Sequence, residues 1–226
     1  GLDRLVKLNV QAFGDTVDFG DIKVEFIKTN HSIQDAAALA IFTPAGTIVH
    51  TGDFKVDYTP VFGDPIDLQR FAELGKEGVL AMMSDSTNAE KPGSTMSERT
   101  VGGTFERIFA EHQQNRIIVA TFASNVDRVQ QIINTAAKYK RKVVVEGRSM
   151  VNVITVASEL HYIDIPEGTL ISIDELKSYP DEQTVLITTG SQGVHGGTEP
   201  YGERYAPEGS YQAERCRRAF IAPDSW

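Results

Sequence analysis

Cysteine is almost absent from this sequence: Cys216 is the only one in 226 residues. An intrachain disulfide and a cysteine-rich zinc site are therefore excluded, and the count fits a reducing compartment. Long hydrophobic runs are also lacking. No apolar stretch nears the roughly twenty residues that cross a bilayer, and the N-terminus carries no basic-then-apolar leader, so the expected setting is the cytoplasm. Basic residues are outnumbered, 22 Lys and Arg against 31 Asp and Glu, for a net charge of −9. A broad basic surface for non-specific nucleic-acid binding has no support in that balance, although a local positive groove is compatible with it. Four catalytic signatures are missing as well: G-x-S-x-G, G-x-x-x-x-G-K-[ST], H-E-x-x-H and G-x-G-x-x-G. Serine hydrolase, P-loop ATPase and Rossmann dehydrogenase readings thereby lose their support.

What is present is an ordinary globular composition, 41% hydrophobic and 23% charged, long enough for one large domain or two small ones. Leu5 to Val10 and Ile22 to Ile27 alternate apolar and polar residues, as half-buried strands do, with turn chemistry at Asp18-Phe19-Gly20-Asp21. Ala36 to Thr43 and Thr47 to Thr51 flank Pro44-Ala45-Gly46 and read as a hairpin. Four strands without an intervening helix predict a largely antiparallel sheet over residues 1–65.

From residue 66 the period changes. Ile66 to Gly75 has helical spacing with a glycine stop, and Val79 to Met83 reads as a buried strand. A helix is expected from Ser97 to about His112, a strand at Ile117 to Ala120, and an amphipathic helix with Val126, Val129, Ile132, Ile133 and Ala136 on one face. Val143 to Val145, Met150 to Leu160 and Val185 to Thr188 continue the alternation of strand and helix. Residues 66–193 are accordingly expected to form a parallel α/β domain. Residues 194–226 break the pattern with Gly196-Gly197, Pro200, Pro207, Gly209 and Pro223. They read as an irregular tail with one short helix around Gln212 to Phe220, whose origin is natural or cloning-derived.

Chemistry points first to two loops. His31, in Asn30-His31-Ser32, and Asp53, in His50-Thr51-Gly52-Asp53-Phe54-Lys55, each follow an apolar strand. A neutral imidazole and a carboxylate on adjacent strand ends suit zinc or manganese; at this separation, taken bare, they are more often ordinary loop residues. Gly52 lets the backbone pass close to a bound group. Three further strands end in small, hydroxylated loops: Ser84 to Asn88, Thr121 to Asn125 and Thr188 to Gly193. Ligands of open α/β sheets bind at the carboxyl ends of strands, and such loops favour phosphate. Helix capping by Ser124 or Asn125 is the plainer reading. Asp85 stands on one of these edges as a catalytic candidate or a cap, and His50 as an orienting group or a plain strand residue.

These segments resemble a known family. Thr29 to Ala36, Gly46 to Lys55, Ser84 to Glu90, Ala120 to Asn125, Gly147 to Met150 and Thr188 to Gly193 are similar, in order, to ribonuclease J, of the β-CASP branch of the metallo-β-lactamase superfamily. The resemblance implies a partial metallo-β-lactamase αββα sandwich followed by a β-CASP-like α/β domain. It implies hydrolysis of phosphodiester or related ester bonds by a metal-activated water, with zinc or manganese as cofactor and RNA or a small phosphoester as partner. His31 then matches a metal-ligand histidine, and Asp53 the aspartate that bridges two metals. Asp85 matches an acidic motif residue that supports a later histidine. Ser124, Asn125, Ser191 and Gln192 match loops near the nucleotide-phosphate path, and Ser86, Thr87 and Asn88, in the hydroxylated loop after Met83, are further substrate-binding candidates. The family's H-x-H-x-D-H run and its later histidine motifs do not occur in these residues. The reading is therefore of an internal piece with weakly held metal, and its alternative is a phosphate- or RNA-binding fragment without turnover. Exposed apolar strand edges, and self-association to cover them, are expected with it.

Overall fold

The computed structural model describes residues 8–87 and 89–189, together with the backbone of Ala219–Ile221. They fall into two compact units that divide between Ser97 and Glu98. Among the described residues no helix is long and apolar enough to cross a membrane.

The first unit is a five-stranded sheet in the order β1-β2-β3-β4-β5, built from Thr16–Asp18, Lys23–Lys28, Ala37–Thr43, Gly46–His50 and Val79–Met83. The first four strands pair antiparallel, as the alternation of residues predicts, and β5 joins β4 in parallel. Leu8 to Val10, expected to end a strand, lie outside the sheet; the strand that pairs with β2 comes later, at β1. Ile27, Ala38, Ala40 and Val49 form the covered face and pack on Leu74 of helix α1 (Leu68–Glu77). Asp67 starts α1 by accepting the Arg70 N–H at 2.9 Å. Arg70 then clamps the buried Glu25 with two bonds, of 2.8 and 2.9 Å.

Two sequence expectations change here. Residues 68–83, read as the opening of the α/β domain, pack in the structure with the first sheet. Strand β5, read as buried, is exposed along its whole length, with Leu80 at 61% and Met82 at 65%. Strand β5 is the last of the sheet, and none of its side chains joins a hydrophobic core among the described residues. A continuous apolar run records a preference for burial and does not say which sheet edge receives it.

The second unit is a parallel sheet in the order β7-β8-β6-β9, from Lys142–Glu146, Thr184–Thr188, Ile117–Ala120 and Ala219–Ile221. Helices α2 (Glu98–Glu111), α3 (Val126–Lys138) and α4 (Arg148–Glu159) contribute to one core with it. The face predicted for α3 is the face it buries: Val129, Ile132, Ile133 and Ala136 are inaccessible to solvent. Val144, Leu186 and Leu176 form a smaller cluster. Ala219 and Phe220, expected to end a short helix, are strand and pair with Ile117 and Ile118. The rest of that predicted helix lies outside the described residues.

Candidate functional site

The site is built where β2 and β4 end. Beyond β2 the chain passes through buried Thr29 to Asn30 and His31. Beyond β4 it turns at Gly52, whose φ of +59° is left-handed and whose missing Cβ would stand 3.0 Å from the Ala37 carbonyl oxygen. The close approach that requires glycine is thus to the protein's own backbone. The turn is held from both sides. Gly52 N–H donates to His50 Nδ1 at 3.0 Å, and the Thr51 hydroxyl donates to the Gly52 carbonyl at 2.8 Å. An isolated antiparallel bridge joins Asn30 to Lys55, with the Lys55 N–H on the Asn30 carbonyl at 2.7 Å.

These constraints bring His31 Nε2 to 3.8 Å from Asp53 Oδ2. The carboxylate is three-quarters exposed and the imidazole one-third. The Ser32 hydroxyl lies 3.4 Å from the same ring nitrogen. Two donors bound tetrahedrally to one zinc, at bond lengths near 2.1 Å, stand about 3.4 Å apart. The observed spacing therefore fits a pair of donors that could share an ion after a small adjustment. Among the described residues no third His, Cys, Asp or Glu completes a metal-binding group with them.

Asp85 reaches the same neighbourhood from the end of β5. Its N–H donates to the Thr51 hydroxyl at 3.0 Å, which ties the β5 end to the turn that carries Asp53. Asp85 Oδ1 accepts the Thr87 N–H at 2.9 Å and the Thr87 hydroxyl at 2.6 Å. These two bonds, then a Phe54 N–H and the His31 imidazole, hold the Asp85 carboxyl below the usual carboxylate range. A carboxylate so stabilised is a poor proton acceptor at neutral pH and a dependable negative charge. Because the folded pKa is depressed, the stability that the Thr87 bonds to the carboxylate contribute is complete above the ordinary Asp value and is lost as pH falls through the lowered one. Carbon-detected NMR of Asp85 should show a midpoint below that of an unstructured Asp, and Thr87→Val should raise it. An unshifted wild-type midpoint would contradict the loop geometry.

The remaining predicted residues are placed unevenly. Ser86 and Thr87 are exposed beside Asp85. Ser124 is exposed and Asn125 buried in the second unit, where Asn125 Oδ1 accepts the Arg128 N–H at 3.1 Å and caps α3. Asn88, Ser191 and Gln192 lie outside the described residues. The three hydroxylated loops do not share one sheet: Ser84–Thr87 follow β5 in the first, whereas Thr121–Asn125 follow β6 and Thr188 ends β8 in the second. Asn30 and Thr51 make the bonds that hold the turns beside the pair, a role that sequence reasoning missed. Their signal was weak: a polar residue beside each candidate ligand, with no spacing rule to distinguish it from turn chemistry.

The family model described as "Ribonuclease J, beta-CASP domain" matches residues 114–198. "Ribonuclease J" of Helicobacter pylori (strain J99 / ATCC 700824) is 48% identical over 177 residues, 78% of this chain and 25% of that protein. "Ribonuclease J" of Synechocystis sp. (strain ATCC 27184 / PCC 6803 / Kazusa) is 49% identical over 75% of this chain and 26% of its own length. "Ribonuclease J2" of Bacillus subtilis (strain 168) is 43% identical over 78% of this chain and 32% of its own length. This chain thus spans between a quarter and a third of these relatives. A crystal structure of a protein of unknown function from Enterococcus faecalis V583 superposes with a TM-score of 0.59 at 20% identity, covering 83% of this chain and 46% of that one, a likeness of fold alone.

Proposed function

Since the chain belongs to the ribonuclease J family over more than three quarters of its length, we propose that it is part of a metal-dependent hydrolase that cleaves RNA phosphodiester bonds in the cytoplasm. The observation that carries this reading is the approach of His31 and Asp53 to 3.8 Å, from two loops that both lie in family-like segments. His31 and Asp53 would hold zinc or manganese, which lowers the pKa of a bound water and polarises the scissile group. The chain's own residues supply the rest. Asp53 brings an exposed charge on a fixed turn, Asp85 a second permanent charge, and Ser86 and Thr87 hydroxyls for a phosphate beside it. Ser124, Ser191 and Gln192 are assigned to a nucleotide-phosphate path by sequence resemblance alone.

Binding of RNA or phosphate without turnover is the second reading, favoured by the two-donor set among the described residues. Metal content after dialysis, with hydrolysis assayed on RNA and on a small phosphoester, separates the two. The first reading expects retained zinc or manganese and RNA cleavage that a chelator stops. Affinity for a 5′-monophosphate nucleotide with no turnover would give the second. Metal-free chain that cleaves RNA at the same rate would remove the first.

A further inference from the structure

We propose that Asn30 is the positioning residue of the His31–Asp53 pair. What the pair does rests on the functional reading above; how the pair is held rests on geometry alone. Asn30 precedes His31 and bonds to two other segments of the first unit. Its backbone carbonyl accepts the Lys55 N–H at 2.7 Å, two residues beyond Asp53. Its side-chain Oδ1 accepts the Ile66 N–H at 2.7 Å, and its Nδ2 donates to the Asp64 carbonyl at 3.0 Å. The segment so gripped is itself anchored, because the Asp67 N–H donates to the Lys28 carbonyl at 3.1 Å and the Asp67 side chain caps α1.

The consequence is a fixed peptide plane at Asn30. A carboxamide bonded at both its oxygen and its nitrogen to one anchored segment cannot swing about its own axis. The backbone carbonyl that meets Lys55 is thereby aimed, and with it the spacing between the His31 and Asp53 loops. Asn presents a strong acceptor and donors on one planar neutral group; Asp keeps the acceptor and loses the donor, and Ala loses both. Outer hydrogen bonds that orient metal ligands commonly alter metal affinity by about 10–100-fold.

The test uses the full chain as wild type, Asn30→Ala and Asn30→Asp. Hydrogen exchange at the Lys55 amide, read by NMR without metal, reports the bridge; a Mn²⁺ titration by calorimetry reports the pair. Asn30→Ala is expected to speed Lys55 exchange by roughly tenfold, the size of one lost hydrogen bond, and to weaken Mn²⁺ binding by about 10–100-fold. Amides of β6 and β8 should keep their wild-type exchange, and Asn30→Asp should fall between the other two. Unchanged Lys55 exchange in Asn30→Ala, or a rise shared equally by β6 and β8, overturns the proposal. Wild-type chain that binds no Mn²⁺ while Lys55 still responds to Asn30→Ala supports the positioning role and removes the metal reading of the pair. If Asn30→Ala does not fold, Asn30→Asp decides the comparison by the same Lys55 criterion.

Discussion

Under the proposed hydrolase reading, Asp53→Ala is expected to lower metal-dependent RNA cleavage by roughly two to three orders of magnitude, the loss of several kcal/mol of charge stabilisation. The expectation follows from where the charge sits. Asp53 Oδ2 is 3.8 Å from His31 Nε2, and the carboxylate is three-quarters exposed. Removing it deletes one of the two donors that converge there and leaves a neutral turn. The fold should not register the change, because an exposed side chain away from caps and cores alters stability by about 0.5 kcal/mol or less. Asp53→Asn sharpens the test. It keeps the shape of the side chain and removes the charge, so it should track Asp53→Ala in metal content and rate if charge is what matters. Initial rates on RNA, with bound zinc and manganese measured on the same samples, check it. Cleavage by Asp53→Ala within twofold of wild type would end the assignment of a metal to this pair.

That pair was legible because both residues follow strands whose alternation is plain in the sequence. Ile22 to Ile27 and the hairpin around Pro44-Ala45 have the period of half-buried antiparallel strands, and antiparallel neighbours along the chain are neighbours in the sheet. The convergence of His31 and Asp53 then follows from register: Leu39 pairs with both Phe26 and His50, so β2 and β4 flank one strand. Strand β5 was read less well. Val79 to Met83 carries no turn signal linking it to β4, and its parallel partner is set by the crossover through α1. That choice is tertiary, and local composition does not encode it. The same limit hid Asn30. Its side-chain partners are 34 and 36 residues away, and an Asn before a His looks in sequence like any turn residue.

The second unit offers the other large effect, on stability. Phe105→Ala is expected to destabilise it by about 3–5 kcal/mol, the usual cost of emptying a buried phenyl site. Phe105 is fully inaccessible, and it lies in a core with Phe109, Ile132 and Ile133. Local collapse is restricted. Gly102, one turn before it on α2, has no Cβ, and a methyl placed there would stand 2.5 Å from the Gln131 side chain, so α2 and α3 are already in close contact. Against a typical domain stability of about 5–15 kcal/mol, the loss would leave the unit marginal at 37 °C. Phe122 provides the matched control in the same unit. It is 45% exposed, so Phe122→Ala removes a similar volume while leaving little cavity and should stay within about 1 kcal/mol. Urea unfolding followed by far-UV circular dichroism distinguishes the two variants by midpoint. Equal midpoints would mean that the α2 side of the core is loosely packed. The loop from Thr121 to Asn125, which continues directly from β6, would then lack the rigid base that a substrate-contacting role for Ser124 needs.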